Sequence, residues 1–375
     1  MDRFVDDRSC SGWDGGGPSG AARPPALRNA NARHRDVLAA DRKERARIRS
    51  EKGIRWTGVP QDSSLNQSGE PMRSRHQVGG MSLDIPDQVR KTVIADENES
   101  WLDELPGVVD SLAQEWSLMV GSSLAGGHAA LVVEVTLVDG TPAVLKISVP
   151  GRDVRQEAMV LRLANGGGCA KLLGEDVGRQ ALLLERLGAP MHDIVADPAS
   201  RHNLLCEVAV RLWRPIGPDI ELPTGAKLAE QYADRLPKIW EQAGRPCSPA
   251  TVANALNCIN RRRLAHDDRS AVLVHGDIHE MNALQASDGS YKLIDPAGLR
   301  AEPACDLGTI VRCNPDLGDD LWVRTEQLAS RTGVDAAAIW EWGTIHRVVS
   351  GVYACNIGFQ PFGDLLLAEA DRLTA

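Results

Sequence analysis

The run Leu273-Val274-His275-Gly276-Asp277-Ile278-His279-Glu280-Met281-Asn282 concentrates side chains that can do chemistry. Phosphoryl transfer needs a carboxylate beside the acceptor hydroxyl and oxygen donors for the metal ion that rides on the donor phosphates. Asp277 can be that carboxylate, and Asn282 can offer its amide oxygen. A second carboxylate should close a following strand, and Asp295 comes directly after Tyr291-Lys292-Leu293-Ile294. A single H-x-D pair means little, but His275, Asp277, Asn282 and Asp295 in this order point to phosphoryl transfer. His275 and His279 are read as braces for the loop rather than as proton carriers. A rival chemistry is a metallohydrolase that uses His275, Asp277 and His279 as metal ligands. It leaves Asn282 without a task.

Protein kinases place Asn five residues after the catalytic Asp, as here, and add a strand lysine and a helix glutamate in the preceding lobe. Ala143-Val144-Leu145-Lys146 supplies such a lysine on a β-rich run, and Glu157 falls in the helical-looking stretch that follows. Simple strand alternation would also produce a lysine there, so the assignment rests on its order relative to the other residues. Gly126-Gly127-His128 sits between two strand-like runs where a phosphate loop belongs, although it lacks the G-x-G-x-x-G pattern.

Elements that could position these residues are visible along the chain. Leu102, Leu105, Val108, Val109 and Leu112 recur at helical spacing within Trp101–Trp116. Leu118–Ser122, Ala130–Val138 and Ala143–Ser148 are β-rich, with Asp139-Gly140 marking a hairpin between the last two. Arg152–Asn165 reads as a helix ended by three glycines, and Ala181–Leu184 as a buried strand. Beyond Gly188-Ala189-Pro190 come helices near Arg201–Trp213, Ala226–Ala243 and Pro249–His266. A short β-rich insert spans Val272–Ile294, and helices resume near Pro303. This order predicts an α+β, two-lobed fold with a β-rich N-lobe over 81–187 and a mainly helical C-lobe over 188–375.

Residues 1–80 differ in kind. They carry a net charge of +5, whereas the remainder carries −14. Rich in Gly, Pro, Ser and Arg, this segment reads as a disordered basic extension. The acidic body disfavours nucleic acid as a partner and favours a cationic small molecule. No apolar run is long enough to span a membrane, and the N-terminus lacks a secretory h-region, so the expected location is the cytoplasm. The eight cysteines are scattered singly and read as free thiols. Nothing in the sequence sets an oligomeric state.

The run His275-Gly276-Asp277-Ile278-His279-Glu280-Met281-Asn282 resembles the H-G-D-x-H-x-x-N signature of the aminoglycoside phosphotransferases. The stretch IDPAGLRAEPACDLGTIVR, with DGTPAVLKIS, RQEAMVLRL and ALLLERL, is similar to the streptomycin 6-kinase and hydroxyurea-kinase branch. The likeness runs from about Met81 to Ala375. Ala297 departs from it where the branch has lysine, and Cys305 where an aromatic residue is frequent. The resemblance implies Asp277 as catalytic carboxylate, Asn282 and Asp295 as Mg²⁺ ligands, Lys146 on the donor phosphates and Glu157 as its partner. It makes Glu185-Arg186-Leu187 the interlobe hinge, meeting adenine through backbone groups, and Asp306 a brace of the catalytic loop. The implied donor is ATP, with GTP left open. The implied acceptor is a hydroxyl of a streptomycin-like aminoglycoside, another hydroxylated antibiotic or a metabolite. Asp316, Asp319 and Asp320 are candidate carboxylates for a cationic acceptor.

Overall fold

The computed structural model describes residues 77–78, 81–95, 98–124, 130–151 and 154–375. The basic extension over 1–80, apart from Gln77 and Val78, and the Gly126-Gly127-His128 segment lie outside the described residues.

A short antiparallel pair, β1 (Gln77–Val78) with β2 (Met81–Ser82), precedes helices α1 (Asp87–Ala95) and α2 (Ser100–Glu115). The N-lobe sheet follows, built from β3 (Met119–Ser123), β4 (Ala130–Thr136), β5 (Pro142–Ser148), β6 (Leu172–Asp176) and β7 (Ala181–Glu185). Its order is β3-β4-β5-β7-β6, antiparallel throughout. The Asp139-Gly140 hairpin forms as its sequence demands. Gly140 takes φ +82°, and Asp139 accepts the Thr141 N–H at 2.9 Å.

Strand periodicity gives the sheet two different faces. Ala143, Leu145 and Ile147 of β5 join Leu131, Val133 and Val135 of β4 beneath Leu105, Val109 and Leu112 of α2, forming the N-lobe core. Val144 and Lys146 therefore face the opposite side. There, Val154, Ala158 and Leu161 of α3 (Val154–Ala164) merge with Leu182 and Leu184 into a core continuous with the C-lobe.

The C-lobe opens with the single turn α4 (Met191–Ile194). Helices α5 (Pro198–Leu212), α6 (Gly225–Gln242) and α7 (Pro249–Ala265) come next. Each of these three starts at a side-chain cap: Asp197, Thr224 and Ser248 accept the N–H groups of Ser200, Lys227 and Thr251. The β-rich insert extends past Ile294 to Ala301 and forms two antiparallel pairs. The hairpin β9 (Ala283–Gln285) and β10 (Tyr291–Leu293) is one, and β8 (Val272–Val274) with β11 (Leu299–Ala301) is the other. Helices α8 (Ala304–Arg312), α9 (Leu321–Thr332), α10 (Ala336–Asn356) and α11 (Phe362–Thr374) complete the lobe.

Six elements were not anticipated: β1, β2, α1, α4, β6 and β11. Strand β6 lies at the sheet edge, mostly half-exposed, with a register irregularity between Leu172 and Gly174. Such a strand lacks the apolar alternation that announces one buried on a face. The described cysteines are all free thiols.

Helix α8 is buried from Ala304 to Val311 and lies closely against α10. Gly308 permits this approach, because a β-carbon there would stand 2.5 Å from Trp342 Cβ and 2.7 Å from its carbonyl carbon. Gly308→Ala is expected to force the helices apart. An overpacking cost of about 1–3 kcal/mol, at ~2–4 °C per kcal/mol for a domain of this class, should lower the melting temperature by several degrees. A thermal melt checks it.

Candidate active site

The two lobes meet at one ammonium group. Lys146 projects from β5 into the interlobe face, and its Nζ lies 2.7 Å from both carboxylate oxygens of Glu157 on α3. The same Nζ lies 2.7 Å from Oδ1 of Asp295, after β10 in the C-lobe. Lys146 and Glu157 are largely buried, whereas the Asp295 side chain keeps 53% of its surface open. Burial opposes the charge on Lys146, yet Glu157 and Asp295 outweigh it and raise its pKa. Burial likewise works against the Asp295 charge, and the ammonium overcomes it and holds the carboxyl below its usual range. Asp295 adopts φ +58°, a left-handed backbone uncommon outside glycine. Its neighbours pin that conformation: Ile294 N–H donates to the Asn282 carbonyl at 2.9 Å, and Gly298 N–H to the His275 carbonyl at 3.0 Å.

The loop between β8 and β9 carries Asp277 and Asn282. Its backbone is gripped from below by α8. Asp306, wholly buried, accepts the N–H of His275 at 3.0 Å, that of Gly276 at 2.7 Å and the Trp213 indole at 2.9 Å. Burial raises the Asp306 pKa, with His275 and these donors pulling the other way. Gly276 takes φ +85°, which a side chain would resist. Thr309 Oγ1 accepts the Ile278 N–H at 3.2 Å. Asn282 donates its amide N–H to the Asp277 carbonyl at 3.1 Å, which ties the two residues across the loop.

His275 is completely buried, and burial depresses its pKa. Its Nδ1 accepts the Asp277 N–H at 3.2 Å, so Nε2 carries the proton and donates it to the Ile294 carbonyl at 2.9 Å. Both ring nitrogens are thereby committed, and His275 has no lone pair for a metal. This overturns the metallohydrolase reading built on His275, Asp277 and His279. Among the described residues, no group of three His, Cys, Asp or Glu side chains is arranged to hold a metal ion.

Asp277 keeps 45% of its side chain exposed. Its packing opposes the negative charge, but His279 and Arg312 prevail and hold its carboxyl well below the usual range. Arg312, in the last turn of α8, sets Nη2 3.1 Å from Asp277 Oδ1. Sequence reading assigned Arg312 no role, and passed over Thr309 and Gln156 as well. Gln156, adjacent to Glu157, donates to the carbonyls of Ala297 and Gly298 and so ties α3 to the segment after Asp295. These partners lie 31 to 142 residues apart in sequence, so no local pattern advertises them.

The expected hinge residues have partners of their own. Glu185 binds Lys292 Nζ and the Lys171 N–H at 2.6 Å each, and its own N–H donates to the Lys171 carbonyl. Leu187 is buried, and its carbonyl accepts from Arg186. Two proposed acceptor carboxylates are already occupied, contrary to expectation. Asp319 pairs with the buried Arg324 through both oxygens, and Asp320 caps α9 by accepting the Trp322 and Val323 N–H groups.

The donor set suits a nucleotide with Mg²⁺. Mg²⁺ favours hard oxygen ligands, commonly one or two from the protein with phosphate and water completing the shell. An open carboxylate at Asp295 and a carboxamide at Asn282, its nitrogen already engaged, provide that chemistry. The lysine between them and Glu157 complements phosphate.

A five-stranded N-lobe, a helical C-lobe and a lysine–glutamate–aspartate cluster between them define a protein-kinase-like phosphotransferase with a hydroxyl acceptor. More narrowly, the chain belongs to the aminoglycoside/hydroxyurea antibiotic resistance kinase family, whose model matches residues 115–358. It is 29% identical over 239 residues to streptomycin 6-kinase of Streptomyces glaucescens, covering 60% of this chain and 73% of that protein. It is 30% identical over 263 residues to hydroxyurea phosphotransferase of Kitasatospora aureofaciens, covering 66% and 72% respectively. Among solved structures, the choline kinase LicA of Streptococcus pneumoniae superposes with a TM-score of 0.50 at 15% identity. That match covers 70% of this chain and 96% of the other, a likeness of fold.

Asp306→Ala tests the support of the loop. It would leave the N–H groups of His275 and Gly276 without their acceptor, at about 1–3 kcal/mol for each buried group. The melting temperature is expected to fall by more than the Gly308→Ala change causes, and turnover to fall with it. Unchanged melting would show that the loop does not depend on this carboxylate.

Proposed function

We propose that this enzyme transfers the γ-phosphoryl group of ATP to a hydroxyl of a cationic, streptomycin-like acceptor, with Asp277 as general base. The observation that carries this reading is the spatial convergence of Lys146, Glu157 and Asp295, with Asp277 and Asn282 joined on the adjoining loop. Lys146, oriented by Glu157, binds the α- and β-phosphates. Mg²⁺ bound with the nucleotide would neutralise charge that builds on the transferring group, and Asn282 and Asp295 would hold it. The hinge from Glu185 to Leu187 meets the base through backbone groups, and either ATP or GTP satisfies this arrangement. Asp277, kept ionised by Arg312 and His279, accepts the proton of the acceptor hydroxyl as the new P–O bond forms. Such a donor and acceptor place the reaction in the cytoplasm. Among the described residues no helix is long and apolar enough to cross a membrane. The lobes divide at the segment following β7, with residues up to 187 in the N-lobe and those from 188 in the C-lobe.

The cationic acceptor is supported by the net charge of −14 over residues 81–375 and by the streptomycin kinase relative. An equally similar relative is named for hydroxyurea, a small neutral molecule, which makes that compound the second candidate.

Two measurements check this reading. Asp277→Asn should retain melting temperature and nucleotide binding while losing ~10²–10⁴-fold in turnover, the range for a general base. Near wild-type turnover would remove Asp277 from the role. For the acceptor, phosphorylation of streptomycin, hydroxyurea and a neutral polyol should be compared by product mass at two salt concentrations. The Debye length shrinks from ~10 Å at 0.1 M to ~3 Å at 1 M, so the KM for streptomycin is expected to rise with salt while kcat changes less. Preference for hydroxyurea or the polyol would replace the cationic acceptor with a neutral one, and a streptomycin KM indifferent to salt would refute the electrostatic account of its recognition.

A further inference from the structure

Helix α8 presents three polar side chains at intervals of three residues, and each holds a different part of the loop that carries Asp277. Asp306 takes the N–H groups of His275 and Gly276, and Thr309 takes that of Ile278. Arg312 completes the series, reaching the Asp277 side chain itself. Its Nη2 lies 3.1 Å from Asp277 Oδ1, and its Nη1 donates to Ser350 Oγ of α10 at 2.8 Å. Arg312 is 13% exposed, so this guanidinium is fixed rather than solvated. The other carboxylate oxygen, Oδ2, stands 3.6 Å from His279 Nε2, beyond normal hydrogen-bond length.

We propose that Arg312 is a positioning residue: anchored on α10 by Ser350, it holds Oδ1 of Asp277 and thereby leaves Oδ2 facing the acceptor hydroxyl. The proposal rests on Asp277 acting as base. A half-exposed aspartate on a loop would otherwise sample several χ1 and χ2 rotamers, and only some of them place an oxygen in line with an incoming hydroxyl. The planar fork of arginine suits the task because its two terminal nitrogens serve two partners, one on the loop and one on a distant helix. Lysine has a single nitrogen and can keep the charge while giving up one anchor. Arg312 touches neither donor nor acceptor in this scheme and acts only through Asp277.

The test uses the full chain with ATP and whichever of streptomycin and hydroxyurea it phosphorylates faster. Misplacement of a reacting group by about 1 Å can cost ~10²-fold, so Arg312→Gln is expected to lower kcat by about that factor. KM for ATP and acceptor should stay within about threefold, because uniform binding is untouched. Arg312→Lys should recover part of the loss, and Ser350→Ala should show a smaller fall in kcat with the same KM pattern. In an Asp277→Asn background, Arg312→Gln should slow turnover no further. A rise in KM in place of a fall in kcat, or losses that multiply in the double variant, would show that Arg312 acts on a substrate directly and overturn the proposal. If Arg312→Gln melts early, Arg312→Lys and Ser350→Ala carry the same comparison, and unchanged kcat in both overturns it. Full turnover by Asp277→Asn, or turnover of neither acceptor, would remove the underlying reading and the proposal with it. Inactive Asp277→Asn beside an unaffected Arg312 series would remove the proposal alone.

Discussion

One ammonium shared by three carboxylate oxygens joins the halves of this enzyme. Lys146 is tied to Glu157 within the N-lobe and to Asp295 in the C-lobe, each at 2.7 Å. A largely buried ammonium is costly unless it is paired and fully hydrogen-bonded, and removing one partner leaves the other charge uncompensated. The alternation of β5 sends Lys146 away from the N-lobe core, while α3 delivers Glu157 to the same face. The left-handed backbone at Asp295 then aims its carboxylate back across the interface. Sheet, helix and loop must all be in place before this charge is satisfied, so the active cleft and the relative placement of the lobes are one problem. Gln156 strengthens the same junction from the adjacent position on α3.

On the C-lobe side the corresponding constraint is α8. A helix buried along nearly its whole length carries few polar residues without a reason, and Asp306, Thr309 and Arg312 each bind the loop that carries Asp277 and Asn282. Gly308, on the tight contact with Trp342, keeps that helix close to α10. The loop thus adds to its own hydrogen bonds, such as that from Asn282 to the Asp277 carbonyl, the support of a helix pair packed at backbone distance, and so holds a carboxylate and an amide in register. His275 belongs to the same support: its two nitrogens bridge Asp277 N–H and the Ile294 carbonyl, so the loop and the strand end before Asp295 move together.

Much of this was legible in the sequence, for identifiable reasons. Helix positions followed from apolar spacing, and the β4–β5 hairpin from Asp139-Gly140; caps such as Asp197 and Ser248 emerged only in the structure. Lys146, Glu157, Asp277, Asn282 and Asp295 could be picked out because their order along the chain is itself informative, and the fold brings them together as two linked groups. Strand β6 escaped notice because an edge strand has no buried face to impose alternation. Arg312 escaped because its partner is 35 residues upstream, and an arginine ending a helix ordinarily reads as solvated. The opposite error befell Asp319 and Asp320. A cluster of carboxylates looked free to bind a ligand, whereas Arg324 and the start of α9 already use them.

The most direct test of the account is a crystal structure with a non-hydrolysable ATP analogue, Mg²⁺ and streptomycin bound together. The expected result has Lys146 on the donor phosphates, the metal held by Asn282 and Asp295, and an acceptor hydroxyl within hydrogen-bond reach of Asp277 Oδ2. A complex with the nucleotide seated elsewhere, or with every acceptor hydroxyl remote from Asp277, would contradict it.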